Sequence, residues 1–169
     1  MTNTRTTGEL GTFVTLVGLV AFAAIATDLY LPAIPYIIAD LGATESQGQL
    51  TLSVFMVGLA TGQLIFGPLS DQFGRLPVVR IGTVLFLVTS ILCALAWNME
   101  MMWLMRGLQG VAAASGPVIA RAIVRDRYEG NRASQVMSVL SGAMAVIPMV
   151  APGIGALILG FSPWPGVFI

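Results

Sequence analysis

The feature that most constrains this chain is a short charged connection, residues 67–80, between two long apolar segments that carry no charge. No residue from 46 to 70 is charged, so the first charge of the connection is Asp71. No residue from 81 to 99, after the connection, is charged either. Each stretch is long enough to cross about 30 Å of hydrocarbon as a helix, which takes about 20 residues. The connection must therefore turn at a membrane surface, and Gly67 and Gly74 permit the backbone conformations that a sharp turn needs.

The composition excludes several classes of protein. The chain is 56% hydrophobic and 9% charged, whereas soluble domains are about 25% charged, so a soluble fold is excluded. The formal net charge is zero, and we therefore expect no nucleic-acid partner. Histidine is absent, which removes the commonest protein ligand for metals, and we predict no metal site and no cofactor. The single Cys93 is interpreted as a small apolar residue.

The chain also lacks the patterns of an enzyme. It contains no nucleophile beside a candidate base and no phosphate-binding glycine loop. The glycines at 107 and 110 lie within an apolar segment rather than after a strand, which excludes a nucleotide-binding interpretation. We predict that the chain is not an enzyme.

Five membrane-spanning helices can be drawn, and they predict an all-α, polytopic membrane bundle with a short N-terminal segment at residues 1–10. Their predicted limits are about 11–34, 47–69, 79–96, 101–123 and 134–160. The connections between them are short, so consecutive helices are expected to be antiparallel neighbours.

The arginines predict the orientation. Arg5 precedes the first span, Arg75 and Arg80 lie between the second and third, and four arginines flank the gap between the fourth and fifth. The loops at 36–46 and 97–100 contain acidic residues and no arginine. Basic loops stay on the cytoplasmic side, so we predict a multi-pass protein of the inner membrane with a cytoplasmic N-terminus.

Two charged residues lie inside the predicted spans. Asp28 comes about six residues before the outer end of the first span, and Arg106 about five residues inside the outer end of the fourth. At 1.5 Å per residue both lie roughly 8–9 Å below the outer boundary. Charges at membrane depth usually mark a transport pathway or a proton relay. They can face each other or share a cavity, and a fixed structural ion pair is the alternative.

Small and helix-breaking residues cluster in two of the spans. Gly58 and Gly62 form a G-x-x-x-G pair, which we interpret as a site of close helix packing. The fifth span is interrupted by prolines and glycines: Pro148, Pro152, Gly153 and Gly155. Proline bends a helix, so a bend is predicted there, either as a static kink or as a hinge between two conformations.

The charged connection resembles the loop signature G-x-L-[A/S]-D-x-x-G-R of the major facilitator superfamily. Six residues fit it: Gly67, Leu69, Ser70, Asp71, Gly74 and Arg75. Gln72 and Leu76 depart from it, since the family usually has basic residues at or near these positions.

Four other stretches resemble motifs of the drug exporters in this family. Residues 27–35 look like their first-helix signature, and residues 106–110 match the R-x-x-Q-G motif of the fourth helix. Residues 151–156 resemble the G-P-x-x-G-G motif of antiporters, with Ala at two Gly positions. Residues 120–126 resemble the Bcr/CflA (bicyclomycin/chloramphenicol resistance) branch.

The resemblance implies roles for these residues. Asp28 is the candidate for binding a proton or a cationic substrate, and Arg106 would tune that carboxylate and line the cavity. Gln109 and Tyr30 would hydrogen-bond substrate or Arg106. The residues implied in the cytoplasmic gate are Gly67, Asp71, Gly74 and Arg75. Pro148, Pro152, Gly153 and Gly155 would shape the bend of the fifth helix.

The resemblance also implies a fold and a function. The family has two six-helix halves with substrate bound between them, so this chain would be an incomplete N-terminal half. The leading hypothesis is proton-coupled efflux of small amphipathic drugs by alternating access in the complete protein, with a metabolite as the alternative substrate. Two further alternatives are a truncated, non-transporting fragment and one chain of a split transporter whose partner supplies the C-terminal half.

Overall fold

The computed structural model of the protein describes the backbone of residues 3–168 and the side chains of residues 11–168. Its α-helices are α1 (Asn3–Asp28), α2 (Ile34–Asp40), α3 (Glu45–Phe73), α4 (Arg75–Ala94), α5 (Met99–Ala113), α6 (Ser115–Arg127) and α7 (Gly130–Phe161). Two short 3-10 helices complete the fold, at Leu31–Ala33 and Trp164–Val167. Within the described part of the chain the regular structure is helical throughout, which confirms the predicted all-α class.

Within residues 3–168, five helical segments are long and apolar enough to cross a membrane. They are Gly11–Asp40, Glu45–Phe73, Arg75–Ala94, Met99–Arg127 and Gly130–Phe161. Short connections make successive spans antiparallel, so the bundle has an end that holds Arg75 and an end that holds Trp164. We call these the Arg75 end and the Trp164 end.

The first span is not one continuous helix, in contrast to the prediction of a single segment from 11 to 34. Helix α1 begins at Asn3 and ends at Asp28, and α2 resumes at Ile34 and extends to Asp40. Pro32 and Pro35 lie in the first turn of the 3-10 helix and of α2. Proline fits a first turn but removes a hydrogen bond from a helix interior, so the backbone restarts at each one. The side chain of Arg5, used to predict orientation, lies outside the described residues.

The connection between the second and third spans is a single residue. Helix α3 continues through Gly67 and Pro68 to Phe73, and α4 begins at Arg75. Gly74 has φ 89° and donates its backbone N–H to the carbonyl of Ser70. A positive φ is accessible to glycine at little cost, so this one residue reverses the chain. The prediction that the whole of 67–80 is a connection was wrong, because one left-handed residue is enough for the reversal.

Helices α3 and α5 form the most extensive contact in the bundle. A Cβ atom at Gly58 would overlap the carbonyl of Gly107, and one at Gly110 would overlap the carbonyl of Phe55. The glycines therefore let the two backbones touch, which confirms the packing interpretation of Gly58. In a membrane, where lipid is as apolar as the helices, such close contact is a main source of helix association.

Helix α7 passes through Pro148 and Pro152 as one helix. A Cβ atom at Gly155 would overlap the carbonyl of Leu29, whereas one at Gly153 would meet nothing within 4 Å. Gly155 thus allows the fifth span to pack against the break in the first. The packing explains this glycine without a hinge, and the bend of the fifth helix stays a prediction.

Candidate functional site

A chain of three buried polar side chains crosses from α5 to α4. Arg106 donates through Nη1 to Oε1 of Gln109 at 2.6 Å, and Nε2 of Gln109 donates to Oγ of Ser90 at 2.6 Å. All three side chains are buried, with exposed fractions of 0%, 2% and 4%. The first two lie three residues apart and so share one helix face. Both the oxygen and the nitrogen of the Gln109 side-chain amide are engaged, and this fixes the orientation of the amide.

The Arg106 guanidinium lies against two aromatic rings from different spans. Its central carbon lies 4.2 Å from the ring centre of Tyr30 and 4.3 Å from that of Phe55. Tyr30 is held in place by a 2.8 Å hydrogen bond between its hydroxyl and that of Thr51. A cation over an aromatic face is favourable, and more so when it is desolvated. The first, second and fourth spans therefore meet at this one side chain.

Asp28 does not pair with Arg106. Among the side chains that the structure describes, the ion pairs involve Arg75 and Arg125 and neither of these two residues. Asp28 is half-buried at the last residue of α1, while Arg106 points to the carbonyl of Ala26 at 3.4 Å. Of the two arrangements that the sequence left open, direct pairing is not seen, because equal depth does not fix the direction in which two side chains leave their helices.

A cavity of about 420 Å³ lies beside the polar chain. Its wall is mostly apolar, with polar atoms from a few side chains: among its lining residues are Ala26, Tyr30, Phe86, Ser90, Gln109 and Phe168. Arg106 is not among the lining residues of this cavity, and its place in the substrate cavity of a complete transporter stays a prediction. Apolar walls with a few fixed polar groups are typical of sites for small amphipathic molecules.

A second polar cluster lies at the Arg75 end. Arg75 donates through Nε to Oδ2 of Asp126 at 2.9 Å and through Nη1 to Oγ of Ser70 at 2.6 Å. The same Nη1 donates to Asp71, one turn before it. Arg125 lies 3.8 Å from Asp71. The cluster ties the reversal between α3 and α4 to the end of α6.

The predicted gate residues are only partly brought together. Asp71 and Arg75 are in direct contact, and Gly74 makes the reversal between them. Gly67 lies one turn back inside α3, where a Cβ atom would meet nothing within 4 Å. Asp126 was not identified as a site residue, although it ends the 120–126 stretch. The charge that faces it comes from another span, so the sequence carries no direct signal for the pair.

Other residues of the central site were also missed. They lie in the second and third spans and are Thr51, Phe55 and Ser90. Nothing in the sequence distinguishes each of them from its mostly apolar neighbours. A polar residue in such a run is a weak signal, since Ser and Thr can bond their own helix backbone. The predicted Pro148, Pro152 and Gly153 lie on α7 and line neither the central cavity nor the Arg75 cluster.

We expect the Asp126→Asn variant to loosen the reversal between α3 and α4. Neutral asparagine cannot form the charge-assisted hydrogen bond to Arg75, and the reversal then loses its tie to α6. Backbone amides of residues 70–76 should exchange with deuterium several-fold faster, as measured by hydrogen–deuterium exchange in detergent. Because both groups are partly exposed, the overall stability should change little.

The control for this variant is Glu129→Gln, which removes the next carboxylate along the chain. It should leave exchange at residues 70–76 unchanged. In an Arg75→Gln background, adding Asp126→Asn should produce little further increase if Asp126 acts through Arg75. Unchanged exchange in Asp126→Asn would show that the contact does not hold the reversal.

Comparison with known proteins gives two findings. The model of the Major Facilitator Superfamily matches residues 16–169. The chain is also similar to the Multidrug resistance protein MdtL of Klebsiella pneumoniae, at 40% identity over 141 residues, or 83% of this chain and 36% of that protein. The protein of that name from Vibrio parahaemolyticus is 40% identical over 143 residues, or 85% of this chain and 36% of its own length. The chain thus spans about a third of the length of these relatives.

Proposed function

The chain belongs to the Major Facilitator Superfamily, and on this basis we propose that it forms part of a proton-coupled exporter of small amphipathic compounds. The observation that carries the proposal is the buried chain Arg106–Gln109–Ser90 beside a cavity with apolar walls. A bundle with only a packing role would place apolar side chains at these positions, since charge at membrane depth is costly. The relatives named as multidrug resistance proteins support drugs as the substrate class.

In this proposal the two ends of the bundle face different compartments. The Arg75 end carries most of the arginines, which favours the cytoplasmic side of an inner membrane. The N-terminus would then be cytoplasmic, and the Trp164 end would face outward. The cluster of Arg75, Asp71 and Asp126 would stabilise one closed state of the cytoplasmic gate.

The proposal gives Asp28 and Arg106 separate tasks. Asp28 is half-buried where α1 ends, so its carboxylate can exchange a proton with water while it stays within the span. Arg106 is a permanent charge fixed by its aromatic neighbours and would hold the local potential constant. Alternating access requires further spans to move against these five, supplied by the same polypeptide or by a second one.

The test is the Asp28→Asn variant in a transporter that joins this chain to the remaining spans. In inside-out membrane vesicles, a proton gradient should drive uptake of an amphipathic fluorescent dye by the unmodified protein. Asparagine cannot carry the proton, so gradient-driven uptake should be lost while dye binding without a gradient is retained. The matched control is Glu100→Gln, an exposed acid at the same end of the bundle.

Two results would count against the proposal. Unchanged gradient-driven uptake in Asp28→Asn would remove this carboxylate from the mechanism. A transporter that moves no amphipathic compound, with or without a gradient, would remove the export function itself.

A further inference from the structure

Among the side chains of residues 11–168, the Arg106 guanidinium is a buried charge without a counter-charge. Its side chain is 0% exposed, and its Nε and Nη2 atoms have no hydrogen-bond partner within this described part of the chain. No carboxylate of the described side chains is within ion-pair distance of it. An ion held in this way costs several kcal/mol of desolvation that aromatic stacking only partly offsets. A second charge is therefore expected to reach this group in some state of the protein.

The two unpartnered donors lie on one edge of the guanidinium. Nε and Nη2 point in nearly parallel directions, and such a pair matches the two oxygens of a carboxylate. The rings of Tyr30 and Phe55 lie against the guanidinium and Nη1 is bonded to Gln109, so Nε and Nη2 are the nitrogens left for a further partner. A planar group with two acceptor oxygens can satisfy both of these donors at once.

The cavity described above shares three of its lining residues with the surroundings of Arg106. Tyr30, Gln109 and Phe168 line the cavity, and each of them also lies against Arg106. Phe168 is the most distant of the three rings near the guanidinium, at 5.9 Å, compared with about 4 Å for the other two. Phe168 is thus the loosest contact between the guanidinium and a residue of the cavity wall.

We propose that Arg106 is a carboxylate-binding residue, so that the compounds bound here are amphipathic weak acids or zwitterions. The proposal rests on the proposed export function and narrows its substrate class. The apolar part of such a compound would occupy the cavity, and its carboxylate would accept two hydrogen bonds from the free edge of Arg106. Asp28 is the rival source of a carboxylate, and the experiment separates the two.

The experiment compares phenylbutyrate with phenylbutyramide, which have the same apolar part and differ in the carboxylate. The full chain is labelled with ¹⁵N at its arginine nitrogens and reconstituted in lipid nanodiscs. Each compound is titrated in turn, and its affinity for the protein and the NMR signal of Arg106 Nε–H are measured. The acid should bind about tenfold more tightly than the amide, since it gains a bidentate charge-assisted pair. The acid should also shift the Arg106 signal, and the amide should not.

Three variants decide the interpretation. Arg106→Lys keeps the charge but lacks the two parallel N–H donors. The ratio of the affinity for the acid to the affinity for the amide should therefore fall to near one. Arg80→Lys, a change at an exposed arginine, should retain the full preference. Asp28→Asn should leave both the preference and the ligand-free Arg106 signal unchanged. Circular dichroism of each variant confirms that the helices are retained.

Three outcomes would overturn the inference. They are equal binding of the acid and the amide, a full preference in Arg106→Lys, and a change in the ligand-free Arg106 signal in Asp28→Asn, which would make Asp28 its counter-ion. The proposed export function can fail separately. Dye export without any preference for the acid would refute only this inference, and a clear preference without export would refute only the function.

Discussion

Replacing Arg106 by methionine is expected to raise the stability of the chain and to abolish the proposed gradient-driven export of a transporter that joins this chain to the remaining spans. The guanidinium is fully buried and leaves two donors unpartnered. Methionine has a similar length, and its flexible thioether can pack between the rings of Tyr30 and Phe55. The desolvation penalty of a buried ion is several kcal/mol, whereas the Gln109 oxygen that loses its donor costs about 1–3 kcal/mol. The fold should therefore be stabilised by about 1–4 kcal/mol. Export should be lost because the central site no longer contains a fixed positive charge.

The measurement is unfolding of the purified protein in mixed detergent, followed by circular dichroism, together with dye uptake in vesicles. Arg80→Met is the matched control, because Arg80 is exposed and should affect neither quantity strongly. A clear loss of stability in Arg106→Met would mean that the charge is better compensated than its hydrogen bonds indicate. Retained export would mean that the charge has no part in transport.

Replacing Gly110 by valine is expected to separate α3 from α5. A Cβ atom at this position would overlap the carbonyl oxygen of Phe55 and approach the backbone nitrogen of Leu59. Backbone atoms cannot rotate away as a side chain can, so the two helices must move apart. Overpacking of a core costs about 1–3 kcal/mol and more where the backbone must shift, and we expect the loss to reach at least the upper end of this range.

The control for this prediction is Gly142→Val in the middle of α7. A Cβ atom there would meet nothing within 4 Å, and valine is the better helix former of the two by a few tenths of a kcal/mol. Unfolding in mixed detergent should therefore show a large loss for Gly110→Val and almost none for Gly142→Val. Equal behaviour of the two variants would contradict the close packing of α3 and α5.

The number and class of the spans were predictable because they depend on charge along the chain. Uncharged runs of sufficient length must cross the bilayer, and Asp71 and Arg75 must lie at its surface. Gly74 was predictable as a turn residue for the same local reason. The limits of the helices were harder to predict from the sequence, because they depend on where proline or a positive φ interrupts the backbone. Around Pro32 and Pro35, for example, α1 ends at Asp28 and α2 extends to Asp40.

The site was predictable only where its parts share a helix. Gln109 lies three residues after Arg106, so the sequence already places both on one face. Ser90 and Asp126 needed the packing of separate spans, which depends on how each helix is rotated about its own axis. The rotation of the helices also explains why Asp28 does not pair with Arg106. The depth of Asp28 could be estimated from the sequence, but its distance from Arg106 could not.

The hydrogen-bond chain from Arg106 through Gln109 to Ser90 has a consequence for energy coupling. An amide and an aliphatic hydroxyl neither gain nor lose protons in the physiological range, and arginine remains charged there. The geometry of this part of the core is therefore the same on the acidic and the alkaline side of an energised membrane. An exporter of the kind proposed must therefore bind and release its proton at another residue. The protonation of these three side chains would stay the same throughout the transport cycle.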